Sequence, residues 1–372
     1  MMRVLRDAGA IIAAVVLTSV GGVGAASAAN LVGGNGVYRV LVSDGAQFWK
    51  CGTWAASTRE LHPLGAGQPL LGSVNGGFPV DSSYTTLYSH FSQVSYVTNG
   101  FCSPLCLAAG LPAIEPILNG ATTVGYRLRW VIQDVVPGTD RFGSQIEFTQ
   151  EVVVEGPVDG TETVDNSVIR ETHIVKNLGP YRLRFGLRKL WDLLVEDDWG
   201  PWLGDCESPT AACDRSVNLT KFGLLTYPRN VLFNTAPREA ACPGGVVPNA
   251  TDGCGGRPPY VVAATVRPPT GLVPRPHPPE VLQFNSWETA ATCWFPNTMK
   301  DDAECAADDA NCFPPFDPNC GTALSYYYGI TRDTAHYLLP GGSRGFTQYL
   351  AATVDSCPQI ITNDEVLAPI PD

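Results

Sequence analysis

Glu171 and His173 stand two residues apart in the run Val168-Ile169-Arg170-Glu171-Thr172-His173. In a strand that spacing puts both side chains on one face. A carboxylate beside an imidazole can pass a proton to and from a substrate. Arg188 and Asp192 follow downstream and complete a candidate catalytic set for an enzyme. The plainer reading of His173 is a hydrogen-bonded strand histidine. The other histidines, His62, His90, His277 and His336, are scattered, with no H-E-x-x-H pair among them.

A second constellation joins Asp192, Glu196, Asp197, Asp198 and Asp205 with Trp191, Trp199 and Trp202. Carboxylates this close repel unless a cation or solvent screens them. Asp197, Asp198 and Asp205 could hold Ca²⁺, a hard cation that takes oxygen ligands. Asp192, Asp197, Asp198, Trp199 and Trp202 could instead contact a sugar, the rings covering its apolar face while the acids accept its hydroxyls. A solvated acidic loop is the plain alternative. Asp301, Asp302, Glu304, Asp308, Asp309 and Asp317 form another acidic stretch, without the D-x-D-x-D-G spacing of an EF-hand.

Gly341-Gly342-Ser343-Arg344-Gly345 matches G-x-S-x-G. A nucleophile elbow must follow a strand and open a helix. Here a turn precedes and a strand-like run follows, so Ser343 reads as a turn residue.

These residues need a scaffold, and the chain reads as a secreted one. Arg3 and Arg6, an apolar run from Ile11 to Leu17 and Ala26-Ser27-Ala28 make a signal peptide cut near Ala28. The expected location is extracellular, or periplasmic in the cell envelope. All 12 cysteines lie downstream: Cys51, Cys102, Cys106, Cys206, Cys213, Cys242, Cys254, Cys293, Cys305, Cys312, Cys320 and Cys357. In an oxidising compartment an even count reads as disulfides. Cys102–Cys106, Cys206–Cys213 and Cys242–Cys254 are plausible local pairs. No C-x-x-C pair and no nearby histidine suggests zinc. An Ala-rich, bacterial-looking signal gives the glycosylation acceptors Asn218 and Asn249 little weight.

The net charge of −12 disfavours nucleic acid and anionic membranes as partners. No later apolar run is long enough for a membrane span. Gly (38) and Pro (31) suit many strands joined by turns. β-branched and aromatic residues at a period near two predict strands over 36–43, 87–97, 124–136, 145–155, 163–177 and 181–194. Further strands are predicted over 223–227, 260–266, 281–285, 324–330 and 345–354. Residues 189–196 read equally as strand or short helix. Residues 265–279, with six prolines, read as polyproline-like linker.

Thr172-His173-Ile174-Val175-Lys176-Asn177-Leu178-Gly179, Tyr181–Arg188 and Leu338-Leu339-Pro340-Gly341-Gly342-Ser343, with Phe346 and Tyr349, resemble the galactose-mutarotase-like supersandwich proteins. In that family a strand ending in Val-x-Asn precedes a turn and a strand that delivers a catalytic His, and L-x-P-G leads into the last sheet strand. The resemblance covers about 60 of 372 residues and implies a supersandwich fold. Where the family places its His, this chain has Gly186-Leu187-Arg188, and arginine cannot serve as a general acid or base.

The expected architecture is all-β: residues 29–372 as one large antiparallel β-sandwich, with Cys-rich insertions at about 199–258 and 290–322. The leading functional expectation is a secreted, non-enzymatic structural or binding protein, associated with carbohydrate or the cell surface. The rival is a carbohydrate-active enzyme, a lyase, epimerase or hydrolase. Ca²⁺ is the one cofactor the side chains suggest.

Overall fold

The computed structural model describes residues 30–45, 50–75, 78–80, 83–99, 103–193, 202–205, 208–210, 215–218, 230–234, 261–265, 274, 277–286, 322–329 and 331–353. Its strands are β1 (Asn30–Gly34), β2 (Tyr38–Asp44), β3 (Cys51–Thr58), β4 (Pro69–Leu71), β5 (Ser73–Asn75), β6 (Phe78–Val80), β7 (Tyr84–Ser89), β8 (Val94–Val97) and β9 (Ser103–Pro104). After the short helix α1 (Leu105–Ala109) come β10 (Ala113–Asn119), β11 (Thr122–Val135), β12 (Phe142–Glu155), β13 (Val168–Asn177) and β14 (Leu183–Leu193). The rest are β15 (Trp202–Asp205), β16 (Ser208–Thr210), β17 (Arg215–Asn218), β18 (Asn230–Asn234), β19 (Val261–Thr265), β20 (Val281–Ser286), β21 (Thr322–Tyr328), β22 (His336–Leu338) and β23 (Ser343–Thr353).

Two large sheets stack into a sandwich. One has 12 strands and runs β1-β2-β3-β4-β14-β21-β20-β17, with β7, β8, β9 and β22 attached beside β14. The other has 9 strands, in the order β10-β11-β12-β13-β23-β19-β18-β15-β16. A β5–β6 hairpin stands apart. Pairing is antiparallel except between β8 and β9. The fold is therefore all-β and antiparallel, as the strand periodicity predicts. The layers bury Trp54, Trp130, Trp191, Tyr38, Phe148 and Phe185 between them. Along β11, Leu128, Trp130 and Ile132 point inward. Arg127 points outward and pairs with Glu115 and Glu151 on the neighbouring strands.

Some expectations change. Residues 87–97 form a hairpin of β7 and β8, not one strand, because the Ser89 hydroxyl accepts the Phe91 and Ser92 N–H groups and turns the chain. Residues 163–167 lie outside β13, where the Asn166 side chain accepts the Thr163 N–H. Residues 189–193 are strand. The described end of the proline-rich stretch is docked: the His277 N–H donates to Thr347 O, and Pro274 O accepts the Tyr349 hydroxyl. The strand expected at 223–227 lies outside the described residues.

Cys106 bonds Cys51, 55 residues away, so the local Cys102–Cys106 pair is overturned. The fold brings these two together. The Cys51 N–H donates to Thr98 O at the end of β8, and β9 leads from β8's side into α1. Cysteine spacing carries no record of such a neighbour. The other ten cysteines lie outside the described residues.

Candidate functional site

β13 and β14 position the candidate catalytic residues, but on different sides of a sheet. Alternation along β13 turns Ile169, Glu171, His173 and Val175 into the space between the layers. On β14 it sends Lys189 and Trp191 into the same space. Arg188, Leu190 and Asp192 point to the opposite face of the 12-stranded sheet. The expected set therefore splits in two: Glu171 with His173, and Arg188 with Asp192.

Glu171 is 1% exposed and His173 0%. Trp191 Nε1 donates to Glu171 Oε2 at 2.7 Å, and Gln150 Nε2 approaches Oε1 at 3.5 Å. His173 Nε2 lies 2.8 Å from Thr85 Oγ1 and 3.6 Å from Glu171 Oε1, with its ring stacked on Phe148. Lys189, also 0% exposed, donates through Nζ to the Glu171 and Phe346 carbonyls at 3.2 and 2.9 Å.

Burial governs the charges of this network. It pushes the Glu171 carboxyl up, with the Lys189 ammonium opposing. It brings Lys189 down to about 8, with Glu171 opposing. It holds His173 well below its usual value, and the Lys189 charge adds to the effect. Glu171 and His173 thus have the chemistry of an acid–base pair, but nothing from solvent reaches them. A proton-transfer group must come within hydrogen-bond reach of its substrate. Lys189 was not foreseen; its signal was a lysine at the inward position of β14, between Leu187 and Trp191.

On the far face, Arg188 Nη2 donates to the Tyr84 hydroxyl at 2.9 Å, and its guanidinium lies 5.3 Å from that ring's centroid. Tyr327 stands opposite Arg188 on β21. The Asp192 N–H donates to Ser83 Oγ at 3.0 Å.

Of the expected contact and calcium residues, Trp202 and Asp205 open and close β15. Asp197, Asp198 and Trp199 lie outside the described residues, as does the stretch from Asp301 to Asp317. Among the described residues no three His, Cys, Asp or Glu side chains gather to hold a metal ion. Ser343 is the first residue of β23, after the turn at Gly341. No helix among the described residues is long and apolar enough to cross a membrane.

No protein-family model matches the chain, and no curated protein matches it. Solved structures do. A putative aldose 1-epimerase from Escherichia coli is 13% identical with a TM-score of 0.37, over 87% of this chain and 99% of that one. A galactose mutarotase-like protein from Lactobacillus casei is 8% identical with a TM-score of 0.38, over 87% and 100%. A galactose mutarotase related enzyme from Lactobacillus acidophilus is 10% identical with a TM-score of 0.40, over 88% and 98%.

Proposed function

We propose that this is an exported structural or binding protein rather than a catalyst, and that it contacts carbohydrate or another envelope component. One observation carries the reading: the chain's best acid–base pair, Glu171 with His173, is sealed between the two sheets. Its polar atoms serve Trp191, Thr85 and Lys189, which are all parts of the fold. Export follows from the signal at residues 1–28. Asp197, Asp198, Trp199 and Trp202 supply the contact surface in this reading, with Ca²⁺ as a candidate ligand of Asp197, Asp198 and Asp205; Asp192, 4% exposed, is not part of it.

The test is to display the mature protein to a glycan array and to purified cell envelope, and to assay the same sugars for turnover. Retention without turnover is expected. Turnover that disappears in Glu171→Gln, in a variant that still folds, would sink the reading.

The rival reading is a carbohydrate-active enzyme built on Arg188, Tyr84 and Asp192 on the far face of β14, but these residues are 2%, 1% and 4% exposed, so burial weighs against them as it does against Glu171 and His173. That group predicts measurable epimerisation or cleavage of a free sugar, abolished by Arg188→Gln. Polarimetry and reducing-end assays on the two proteins separate the readings.

A further inference from the structure

We propose that one open end of the sandwich binds an acidic sugar, a ring that carries a carboxylate. This goes beyond the contact surface proposed at Asp197–Trp202 and does not depend on it.

Three connections meet at that end: the turn from β7 to β8, the turn from β11 to β12, and the link from β13 to β14. Between them lies a cavity of about 390 Å³ lined by Phe91, Phe142, Tyr181, Arg141, Arg182 and Arg184. That volume falls in the range of small-molecule sites, about 300–1,000 Å³.

The lining has an unusual charge for this protein. The whole chain carries −12, yet three arginines line this cavity, the Arg141 guanidinium over the Phe91 ring and those of Arg182 and Arg184 over Tyr337. Among the described residues none of the three takes part in an ion pair. Arg184 Nη2 donates to Arg332 O, and its guanidinium lies over Tyr337. Arg184 Nε is a buried donor with no hydrogen-bond partner. One carboxylate, Asp134, sits at the floor, but Ser89 Oγ, Ser92 Oγ and Tyr96 OH donate to it from within the fold at 2.6, 2.5 and 3.3 Å. Against the single Asp134 carboxylate the three arginines leave the lining a net positive charge, which favours an anion, and the planar fork of arginine matches a carboxylate.

The apolar part of the lining is equally specific. Tyr181, Phe142 and Phe91 are 60%, 40% and 41% exposed. Rings left this open beside a polar cleft offer flat faces for the C–H side of a sugar ring. The structure also holds the cleft open. A Cβ on Gly143 would stand 2.5 Å from the Phe91 ring and 2.7 Å from Asp134 Oδ2. Asn177, fully buried, fixes the link that carries Tyr181 and Arg182. Its Nδ2 donates to Tyr181 O and Leu338 O, and its Oδ1 accepts Ser144 Oγ and Gly179 N.

The experiment titrates the mature protein calorimetrically with galacturonate, mannuronate and glucuronate tetrasaccharides, with neutral galactotetraose, and with sodium sulfate. At least one uronate should bind, at least tenfold more tightly than galactotetraose or sulfate, and more weakly as salt rises. Arg182→Glu and Tyr181→Ala should each lower that affinity at least tenfold while the melting temperature stays unchanged, since both side chains are exposed. Binding of no uronate, equal binding of the neutral sugar or of sulfate, or full affinity in both folded variants would each overturn the site.

Discussion

Lys189 is a cation with no exposure, and its neighbours explain how the interior tolerates it. Two carbonyls accept its hydrogens, and the Glu171 carboxylate lies close enough to oppose the burial penalty on its charge. Removing one member of a buried pair strands the other. Lys189→Met should therefore cost about 3–5 kcal/mol, and Glu171→Gln should also destabilise. The double variant should cost less than the two singles together by about 1–3 kcal/mol. Strictly additive costs in urea unfolding would show that the two do not act as a pair. His173 adds a pH dependence. Its folded-state pKa lies well below the usual 6.5, so below pH 6.5 the unfolded chain binds a proton that the folded one refuses. The stability it contributes is complete above that pH and falls by about 1.4 kcal/mol per pH unit below it. Glu171 works with the opposite sign, because its raised folded-state pKa lets the folded protein take up a proton first as pH drops. His173→Gln isolates the histidine. Between pH 7 and pH 5, wild-type stability should fall relative to the variant's; parallel curves would refute the assignment.

At the scale of elements, the two sheets approach closely where β1 crosses β11. A Cβ on Gly33 would stand 2.6 Å from Gly125 N and 2.7 Å from Gly125 Cα. Backbone cannot yield as a flexible side chain can. Gly33→Ala should cost about 1–3 kcal/mol through overpacking. Gly345→Ala, in β23, is the control. Its Cβ would meet only His173 O at 4.0 Å, so its melting temperature should hold or rise. Equal effects in calorimetry would show that the crossing is not tight. Much at this scale was legible in the sequence. Alternation from Val124 to Val136 marked β11 and its buried face, and the i, i+2 spacing put Glu171 and His173 together. The side they face was not legible. Ile169 and Val175 flank them on one side of β13, while Ile174 interrupts the polar run on the other, so burial depended on which sheet packs where. The β7–β8 turn was hidden because hydroxyl hydrogen bonds make it without glycine or proline. Cys51 and Cys106 meet only after β3, β8 and β9 assemble. The arginines of the open end did leave a trace. Arg182 and Arg184 alternate with Leu183, and Arg188 falls on the same face of β14.

On the scale of the whole molecule, the strand order makes the chain's late residues central. β23 lies between β13 and β19 and bonds to both. Without it the 9-stranded sheet is cut in two, and both new edges expose unpaired backbone donors and acceptors. The layers are also joined across this distance. The Tyr38 hydroxyl, on β2 of the other sheet, donates to Ala352 O and accepts the Ala352 N–H, both at 2.9 Å. His62 Nε2 lies 3.2 Å from the same carbonyl. Contacts of such sequence separation form late, because loop closure must precede them. A chain ending before Ser343 should then fail to build its second layer, and it should show neither near-UV circular dichroism nor a cooperative melt. Tyr38→Phe tests the link more gently. It keeps the ring and its packing but leaves the Ala352 N–H buried without its acceptor, at a cost of about 1–3 kcal/mol. If β23 docks before the layers close, this loss should appear mainly as faster unfolding, with the folding rate nearly unchanged. A slower folding rate of matching size would instead place the Tyr38–Ala352 contact in the folding nucleus. Stopped-flow measurement of both arms of the chevron distinguishes the two.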